Sequence, residues 1–559
     1  MPVNSVSLVR SSSINLEQAK SVLETLYFQV NAGLRYIKIA CTEDEKLNSA
    51  LLDNYQFASY ELAFCVAEIS AANCFFEYAK PADEHSIEHS FSLIFAGEIF
   101  QSVLSRLKSI SVDVHLDAAD IVTLESTNNA KLLLTNCNGG TLAILGSKIA
   151  QDEIFRLPSI LNAEKELVRE TFYRFANDVV APLAEEIHRQ DQDIPEKIIR
   201  AAAELGCFGT CIPERFGGLQ PDDDPDSLGM IVVTEELSRG SLGAAGSLIT
   251  RPEIAARALL AGGTHAQKRK WLPSLANGEM LCAISITEPN TGSDVATVAL
   301  KATPTDGGWI LNGSKTWCTF AGRSELIVAL GRTNPDKSLG HKGLSMFLIE
   351  KPAFAGHSFS HQQDRGGALT GKAIATLGYR GMHSYDLFFE DYFVPAENLV
   401  GEEAGEGKGF YYTMAGFSGG RIQTAARATG LMQAAFEKAV NYANERRVFD
   451  KTLSEFQLTQ IKLTRMLATI TACRQFSYSV AEKMDEGGGQ MEASLVKLFS
   501  CRAAEWITRE AMQIHGGMGY AEESSVSRYF VDARVLSIFE GAEEVLALKV
   551  IARGLIESA

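Results

Sequence analysis

The sequence predicts an α+β protein in which a β-rich segment is set between helical segments, with a further helical segment in front. Three observations carry this. Apolar residues recur at helical spacing from Asn15 to about Ser109 and from about Ser159 to Gly278, short β-rich runs replace that period from Leu281 to about Pro395, and the helical period returns after Gly409. At 559 residues the chain is too long for one ordinary core. The changes of period divide it into four expected segments, 1–155, 156–280, 281–400 and 401–559.

Taken in order, Leu16, Ala19, Leu23 and Leu26 share a helix face, and Asn15 with Gln18 has the form of a capping box. Helices follow near Phe57 to Tyr78 and Ser90 to Leu107, joined through Pro81-Ala82-Asp83-Glu84. Residues 110–155 are ambiguous, with Asn138-Gly139-Gly140 read as a turn. In the second segment, Pro213-Glu214-Arg215-Phe216-Gly217-Gly218 and the acidic loop Asp222 to Asp226 punctuate the helices, and the acidic loop reads as solvated. The third contains Trp309-Ile310-Leu311, Leu326 to Leu330, Ser345 to Ile349 and Leu387-Phe388-Phe389 as strands, with Asn312-Gly313 as a two-residue hairpin. In the fourth, Leu431, Met432, Ala435, Phe436 and Ala439 form one apolar stripe and Leu495, Leu498 and Phe499 another, the pattern of a helical bundle core.

Composition narrows the function. A formal charge of -17 and a pI near 5.2 argue against a nucleic-acid partner, because such binders need a basic stripe to displace counterions. No stretch reads as the uninterrupted apolar run of a membrane span, so no membrane is expected. Met1 to Lys20 is Ser-rich with one arginine and has no apolar core, which gives a transit peptide only weak support. Ten cysteines occur without any C-x-x-C spacing, and Cys207 and Cys211 have no clustered His or carboxylate partners. The expectation is reduced, buried thiols, a cytoplasmic protein and no metal.

One run stands out chemically. Leu281 to Ile286 reads as an apolar strand that breaks into Thr287-Glu288-Pro289-Asn290-Thr291-Gly292-Ser293-Asp294. Such a turn offers free N–H groups and hydroxyls at one spot, suited to a planar, hydrogen-bonding ligand such as a flavin. Taken alone it reads equally well as an Asx-type turn between two strands.

Five separated segments occur together and in order: Ile212 to Gly218, the run just described, Leu311-Asn312-Gly313-Ser314-Lys315-Thr316-Trp317, Glu445-Arg446-Arg447-Val448-Phe449, and Gln513-Ile514-His515-Gly516-Gly517 followed by Ile538-Phe539-Glu540-Gly541. With them, Ser159 to Leu555 resembles the acyl-CoA dehydrogenases, flavoenzymes with an α-helical domain, a β domain and a C-terminal four-helix bundle. The resemblance implies FAD as cofactor, an acyl-CoA substrate, an electron-transfer flavoprotein as electron acceptor and a homodimer or homotetramer. It implies that Ile284, Ser285, Ile286 and Thr287 face the flavin, with Ser293 near both FAD and CoA, and that Trp317 and Thr319 form a second flavin-contact strand. Arg446, Phe449, Gln457, Gln513, Gly516 and Gly517 match positions that reach the FAD of a neighbouring subunit. Taken by itself, Trp317 also suits a core and Gly516-Gly517 a helix C-cap.

The same resemblance makes Glu540 the base that removes the α-proton, with Gly541 beside the substrate and Arg421 on CoA; Glu288, Asp294, Glu543 and Glu544 then read as structural. A carboxylate is normally too weak for this task, so burial is expected to raise the pKa of Glu540. Relatives that carry the base on an earlier helix place it where this chain has Gly420. Ser418 and Ala542 depart from common family residues, an aspartate at a CoA contact and a threonine at an FAD contact. The N-terminal helical extension, together with Thr250 to Ala255 and Phe417 to Met432, is most similar to family members that oxidise a short branched dicarboxylic thioester. A distal carboxylate in an acyl pocket requires a cation. Arg251 is the candidate, with Arg365 and Lys372 as fallbacks; a relative with a dicarboxylic substrate uses an arginine where this chain has Ala245. Arg251 reads equally as a helix-surface residue paired with Glu253 or solvent. Another short or branched acyl-CoA, an oxidase passing electrons to O2 and a non-catalytic scaffold are the alternatives.

Overall fold

The computed structural model describes residues 14–559, apart from the side chain of Ser418, so most of the Met1 to Lys20 segment lies outside the described residues. The first helix, Leu16–Cys41, starts on the expected capping box: Gln18 N–H donates to Asn15 Oδ1 at 2.8 Å and Asn15 N–H to Gln18 Oε1 at 3.1 Å. Gln56–Ala79 and Ile87–Ile110 follow. The ambiguous stretch is helical, as Ala118–Ser126, Asn128–Thr135 and Gly139–Gln151. Asn138-Gly139-Gly140 is therefore not a turn between elements. Asn138 Oδ1 accepts from Gly140 N and Thr141 N at 2.9 and 3.0 Å, so the chemistry that reads as an Asx turn starts a helix instead.

These helices lie on the C-terminal bundle, and Leu23, Phe75, Phe100, Phe476 and Leu498 belong to one continuous apolar cluster. The closest approach is at Gly146, where a Cβ would come within 2.0 Å of the Gln460 carbonyl oxygen. Thr464 Oγ1 donates to Leu142 O at 2.7 Å across the same seam, and Phe95 meets Phe499 edge-on at 6.0 Å. Contrary to the sequence expectation, Ser49–Ala79 is long and apolar enough to cross a bilayer by length and composition. Its apolar window is 78 % buried, and Arg106 pairs with Glu61 and Glu68 along it at 2.5 and 3.1 Å, as in a core helix.

An eight-stranded sheet occupies the middle of the chain. Cys282–Ser285 pairs in parallel with Leu326–Arg332, which also carries Leu344–Glu350. Lys301–Thr305 follows, then Gly308–Thr319, Ser384–Pro395, Ala368–Ala373 and Ser358–Gln362. The Asn312-Gly313 hairpin is not formed: Gly308–Thr319 runs through it, and the two-residue connection is at Asp306-Gly307, between Thr305 and Gly308. Asn312 instead sits beside a bulge in the partner strand, where Asp391 takes φ 44, its N–H donates to Asn312 Oδ1 at 2.9 Å and its carboxylate accepts from Asn312 Nδ2 at 3.0 Å.

The last segment is built on three long helices, Gly409–Glu445, Gln457–Asp485 and Gln490–His515. The first and third run parallel. Arg421 Nη1 donates to Ser494 Oγ at 2.9 Å near their starts, and Tyr442 stacks on His515 at 4.3 Å near their ends.

Candidate active site

The turn after Cys282–Ser285 is held from beneath. Glu288 is buried, and its carboxylate accepts Ala299 N, Leu300 N and Lys315 Nζ, each at 2.8 Å, while Lys315 Nζ also donates to Ile286 O at 2.8 Å. This carboxylate shapes the loop, with three of its roughly four acceptor sites taken. What the loop leaves outward is backbone: among the described residues the N–H groups of Gly292, Ser293 and Asp294 take no partner, and Gly292 faces open space. Thr316 N donates to Thr287 O at 2.9 Å, which brings the turn against the strand that carries Trp317.

Trp317 lies where that strand bulges, between the Tyr385 and Leu387 registers, with φ 58. Its indole is 55 % exposed. A large apolar ring turned outward on backbone that L-residues avoid is a local cost, and such costs cluster where a ligand is received. Thr319 is buried, with its hydroxyl 2.9 Å from Ser384 Oγ. Strand alternation separates the first set. Ile284 and Ile286 pack with Val295 and Phe417, whereas Ser285 faces the sheet core, where its Oγ accepts from Cys318 Sγ at 3.2 Å. Only the backbone of Ser285 is left to meet a ligand on the Ile284 face.

Phe417 leads from that face to Glu540. A Cβ on Gly420 would lie 3.9 Å from Phe417 Cδ1 and 3.2 Å from Glu540 Oε2. Glu540 itself has φ 54 and Gly541 φ 104, a left-handed pair in the loop between Ser525–Leu536 and Glu543–Val545. Lys497 closes this loop from the bundle, donating to Phe539 O at 2.8 Å and to Gly541 O. The Glu540 N–H takes no partner among the described residues.

The two oxygens of the Glu540 carboxylate differ. Oε2 accepts Thr424 Oγ1 and Arg427 Nη2, each at 2.6 Å, whereas Oε1 has no hydrogen bond among the described residues. Arg427 is fully buried, donates to Ser247 Oγ at 2.9 Å and lies 4.7 Å from the centre of the Phe539 ring. The expectation that burial raises this carboxyl is corrected. Burial does push it up, but Arg427, Arg251 and the bonds from Thr424 and Arg427 outweigh that and hold it below the ordinary carboxylate value.

Arg251 is not a surface residue. It stands in the first turn of Thr250–Gly262, only 7 % exposed, and its Nη1 is buried without a hydrogen bond among the described residues. Glu253 cannot serve it, being taken by Arg257 at 2.7 Å and by Gln423. A cation at a helix N-terminus opposes the helix dipole, so the position is unfavourable twice over unless an anion arrives. Arg365 and Lys372, by contrast, are exposed near the far edge of the sheet. Arg421 is close by, on Ser494, and burial lowers its pKa.

The remaining predicted positions gather elsewhere. Arg446, Gln457, Gln513, Gly516 and Gly517 are exposed where the parallel helices end, and Phe449, 89 % exposed, tips the hairpin of Arg447–Val448 and Lys451–Thr452. Phe449 and Asp450 have φ 49 and 64, a tight turn that pushes the ring outward. From Arg421 to Tyr442 the helix rises about 32 Å, so the Glu540 end and this end are separate places on one chain. Another polar group, Asp191, His357 and His383, brings its ligand atoms within 4.8 Å of one another; Arg380 Nε is 3.4 Å from Asp191, and the group reads as an ion-pair junction between the second segment and the sheet.

Thr424, Arg427 and Lys497 went unassigned in the sequence. The signal for Arg427 is a cation inside Thr424-Ala425-Ala426-Arg427-Ala428, a small-residue helical stretch where Gly420, Thr424 and Arg427 share one face.

Comparison with known proteins matches residues 162–279, 283–392 and 407–556 to the acyl-CoA dehydrogenase N-terminal, middle and C-terminal domains. The (2S)-methylsuccinyl-CoA dehydrogenase of Cereibacter sphaeroides is 38 % identical over 542 residues, spanning 93 % of this chain and 94 % of its own. Butyryl-CoA dehydrogenase from Megasphaera elsdenii superposes with a TM-score of 0.64 at 32 % identity, over 71 % of this chain and 99 % of its own. A chain in a structure of the electron transferring flavoprotein of Acidaminococcus fermentans gives 0.63 at 31 %, over 70 % and 97 %.

Proposed function

The chain belongs to the acyl-CoA dehydrogenase family and is an FAD-dependent enzyme of that kind, and we propose that its substrate is (2S)-methylsuccinyl-CoA, which it converts to mesaconyl-CoA. The observation that carries this reading is Arg251, a buried guanidinium that forms no ion pair within contact distance among the described residues and acts on Glu540 only through its charge. A monocarboxylic acyl group would give its Nη1 no acceptor. A second carboxylate on the acyl chain would satisfy it, since charge-assisted pairing is strong in a buried site.

The residues present suit FAD: an outward indole at Trp317, free N–H groups from Gly292 to Asp294, and open space at Gly516 and Gly517. When bound, FAD accepts the hydride from the substrate β-carbon. In this reading Glu540 Oε1 takes the α-proton while Thr424 and Arg427 fix Oε2, and the free Glu540 N–H donates to the thioester oxygen as negative charge develops there. Arg421 meets CoA. Arg446, Phe449, Gln457, Gln513, Gly516 and Gly517 reach the FAD of a second subunit, which makes the enzyme a homodimer or a homotetramer of such dimers. An electron-transfer flavoprotein is the acceptor, a reading supported by the similarity to the Acidaminococcus fermentans chain.

The test is a dye-reduction panel of (2S)-methylsuccinyl-, butyryl-, isovaleryl- and glutaryl-CoA with wild-type enzyme and Glu540→Gln. A clear preference for methylsuccinyl-CoA, lost in the variant while its flavin stays, is the expected result. Equal rates with butyryl-CoA would remove the substrate assignment.

A further inference from the structure

Glu543 follows Glu540 by one short turn, and its buried carboxylate leaves the site on the side of the N-terminal extension. There it accepts Tyr60 Oη at 2.5 Å, Arg502 Nε at 3.0 Å and Arg502 Nη2, and Arg502 Nη2 also donates to Tyr60 Oη at 2.9 Å. Burial and the Glu543 carboxylate push the Tyr60 phenol far above its ordinary value, so it stays a donor. Glu543 N–H donates to Ser537 O at 3.0 Å, which closes the base-bearing loop at its neck. Three of the residues that grip this loop, Lys497, Arg502 and Glu505, come from Gln490–His515, with Ser537 Oγ donating to Glu505 at 2.5 Å. Tyr60 comes from Gln56–Ala79, in the extension.

The segment after the loop is strapped to the same place. Lys549 Nζ lies 2.8 Å from Asp53 Oδ1, Arg553 Nη1 donates to Ser49 Oγ at 3.3 Å, and Lys38 Nζ donates to the carbonyl oxygens of Glu557 and Ala559 at 2.9 and 2.8 Å. The extension therefore holds the chain on the downstream side of Glu540. The family domains that match this chain begin at residue 162, after the extension, so Tyr60 lies outside them.

We propose that Tyr60 is a positioning residue for Glu540: by donating to Glu543 and accepting from Arg502 it braces that pair, fixes the neck of the Ser537–Glu543 loop and so sets the direction in which the Glu540 carboxylate points. This rests on Glu540 being the base. The left-handed conformation at Glu540 persists only where the surroundings over-determine it, and the Tyr60–Glu543–Arg502 triad supplies one side of that constraint.

Tyr60→Phe removes one hydroxyl and keeps the ring. With (2S)-methylsuccinyl-CoA, kcat should fall about tenfold with KM little changed, as for a misdirected group. The isotope effect on kcat with substrate deuterated at the carbon α to the thioester should rise, because proton removal becomes slower. Glu543→Gln should give the same changes, and the double variant no more than either alone, since the two act as one unit. If Tyr60→Phe is isolated without flavin, Glu543→Gln, which keeps the N-terminal packing, carries the test. Unchanged kcat and isotope effect, a change in KM alone, or additive losses would overturn the proposal. Glu540→Gln run in parallel separates the two levels: an active Glu540→Gln removes the base assignment, whereas an inactive one beside a normal Tyr60→Phe removes only the role of Tyr60.

Discussion

A Cβ placed on Gly420 would lie 3.2 Å from Oε2 of Glu540, so a helix position and a loop position far apart in the chain converge on one point. A carboxylate carried at position 420 would thus approach the spot that Glu540 occupies, from a different backbone. Glu540→Gly should lower kcat by about ten-thousandfold, the upper range for a lost general base. Adding Gly420→Glu should recover about one hundredth of the wild-type rate, the cost of an imperfectly aimed group. Dye reduction by the single and double variants measures both, and no recovery would separate the two positions functionally.

Arg427 sets the charge state of Glu540. Its carboxyl is held below the ordinary value, so the pair contributes stability above the unfolded-state pKa, and that contribution disappears as pH falls through the folded one. In Arg427→Gln the acidic limb of kcat/KM should move to higher pH, because burial then meets only Arg251 and the Thr424 hydrogen bond. Thermal melts should show a loss of about 3 kcal/mol or more at pH 7, narrowing as pH falls and Glu540 takes up a proton.

Arg251→Ala should raise KM for (2S)-methylsuccinyl-CoA by about ten- to hundredfold, the worth of a buried charge-assisted contact, and leave KM for isovaleryl-CoA little changed. Arg251→Met keeps the volume and removes a buried unpaired charge. It should melt at the same temperature as wild type or higher in the absence of substrate. Equal KM effects on both substrates would assign Arg251 to general packing.

Trp317→Gly should leave the apoprotein at least as stable, because glycine accepts φ 58 without strain, while the ratio of flavin to protein absorbance falls. Retained flavin would make Trp317 a surface residue only.

Gly146→Val should lower stability by about 3 kcal/mol or more, since its Cβ would collide with the Gln460 backbone and push the extension off the bundle. A thermal melt of the holoenzyme reads this directly.

The order of helices, sheet and helices was legible because each period runs long enough to be counted, and local motifs singled out Trp317, Glu540 and the Thr287–Asp294 turn as candidates. The failures have a common cause. Asn138-Gly139-Gly140 and Asn312-Gly313 carry turn chemistry that tertiary packing used for a helix cap and for a position beside a bulge. The pairing of Arg427 with Glu540 and the grip of Tyr60 on Glu543 join residues from distant segments, and neither member of either pair announces its partner locally. Arg251 was legible as a misplaced cation, but only the fold reveals that Glu253 is already taken.

The length of Gly409–Glu445, which sets Arg421 and Tyr442 about 32 Å apart, has a consequence for the enzyme in solution. If the far end serves a neighbour's cofactor, no chain can complete its own site, and holding the flavin becomes a matter of mass action between subunits. Dilution below the dissociation constant of the pair would then act as a chelator does on a metalloenzyme, releasing the prosthetic group without unfolding the chain.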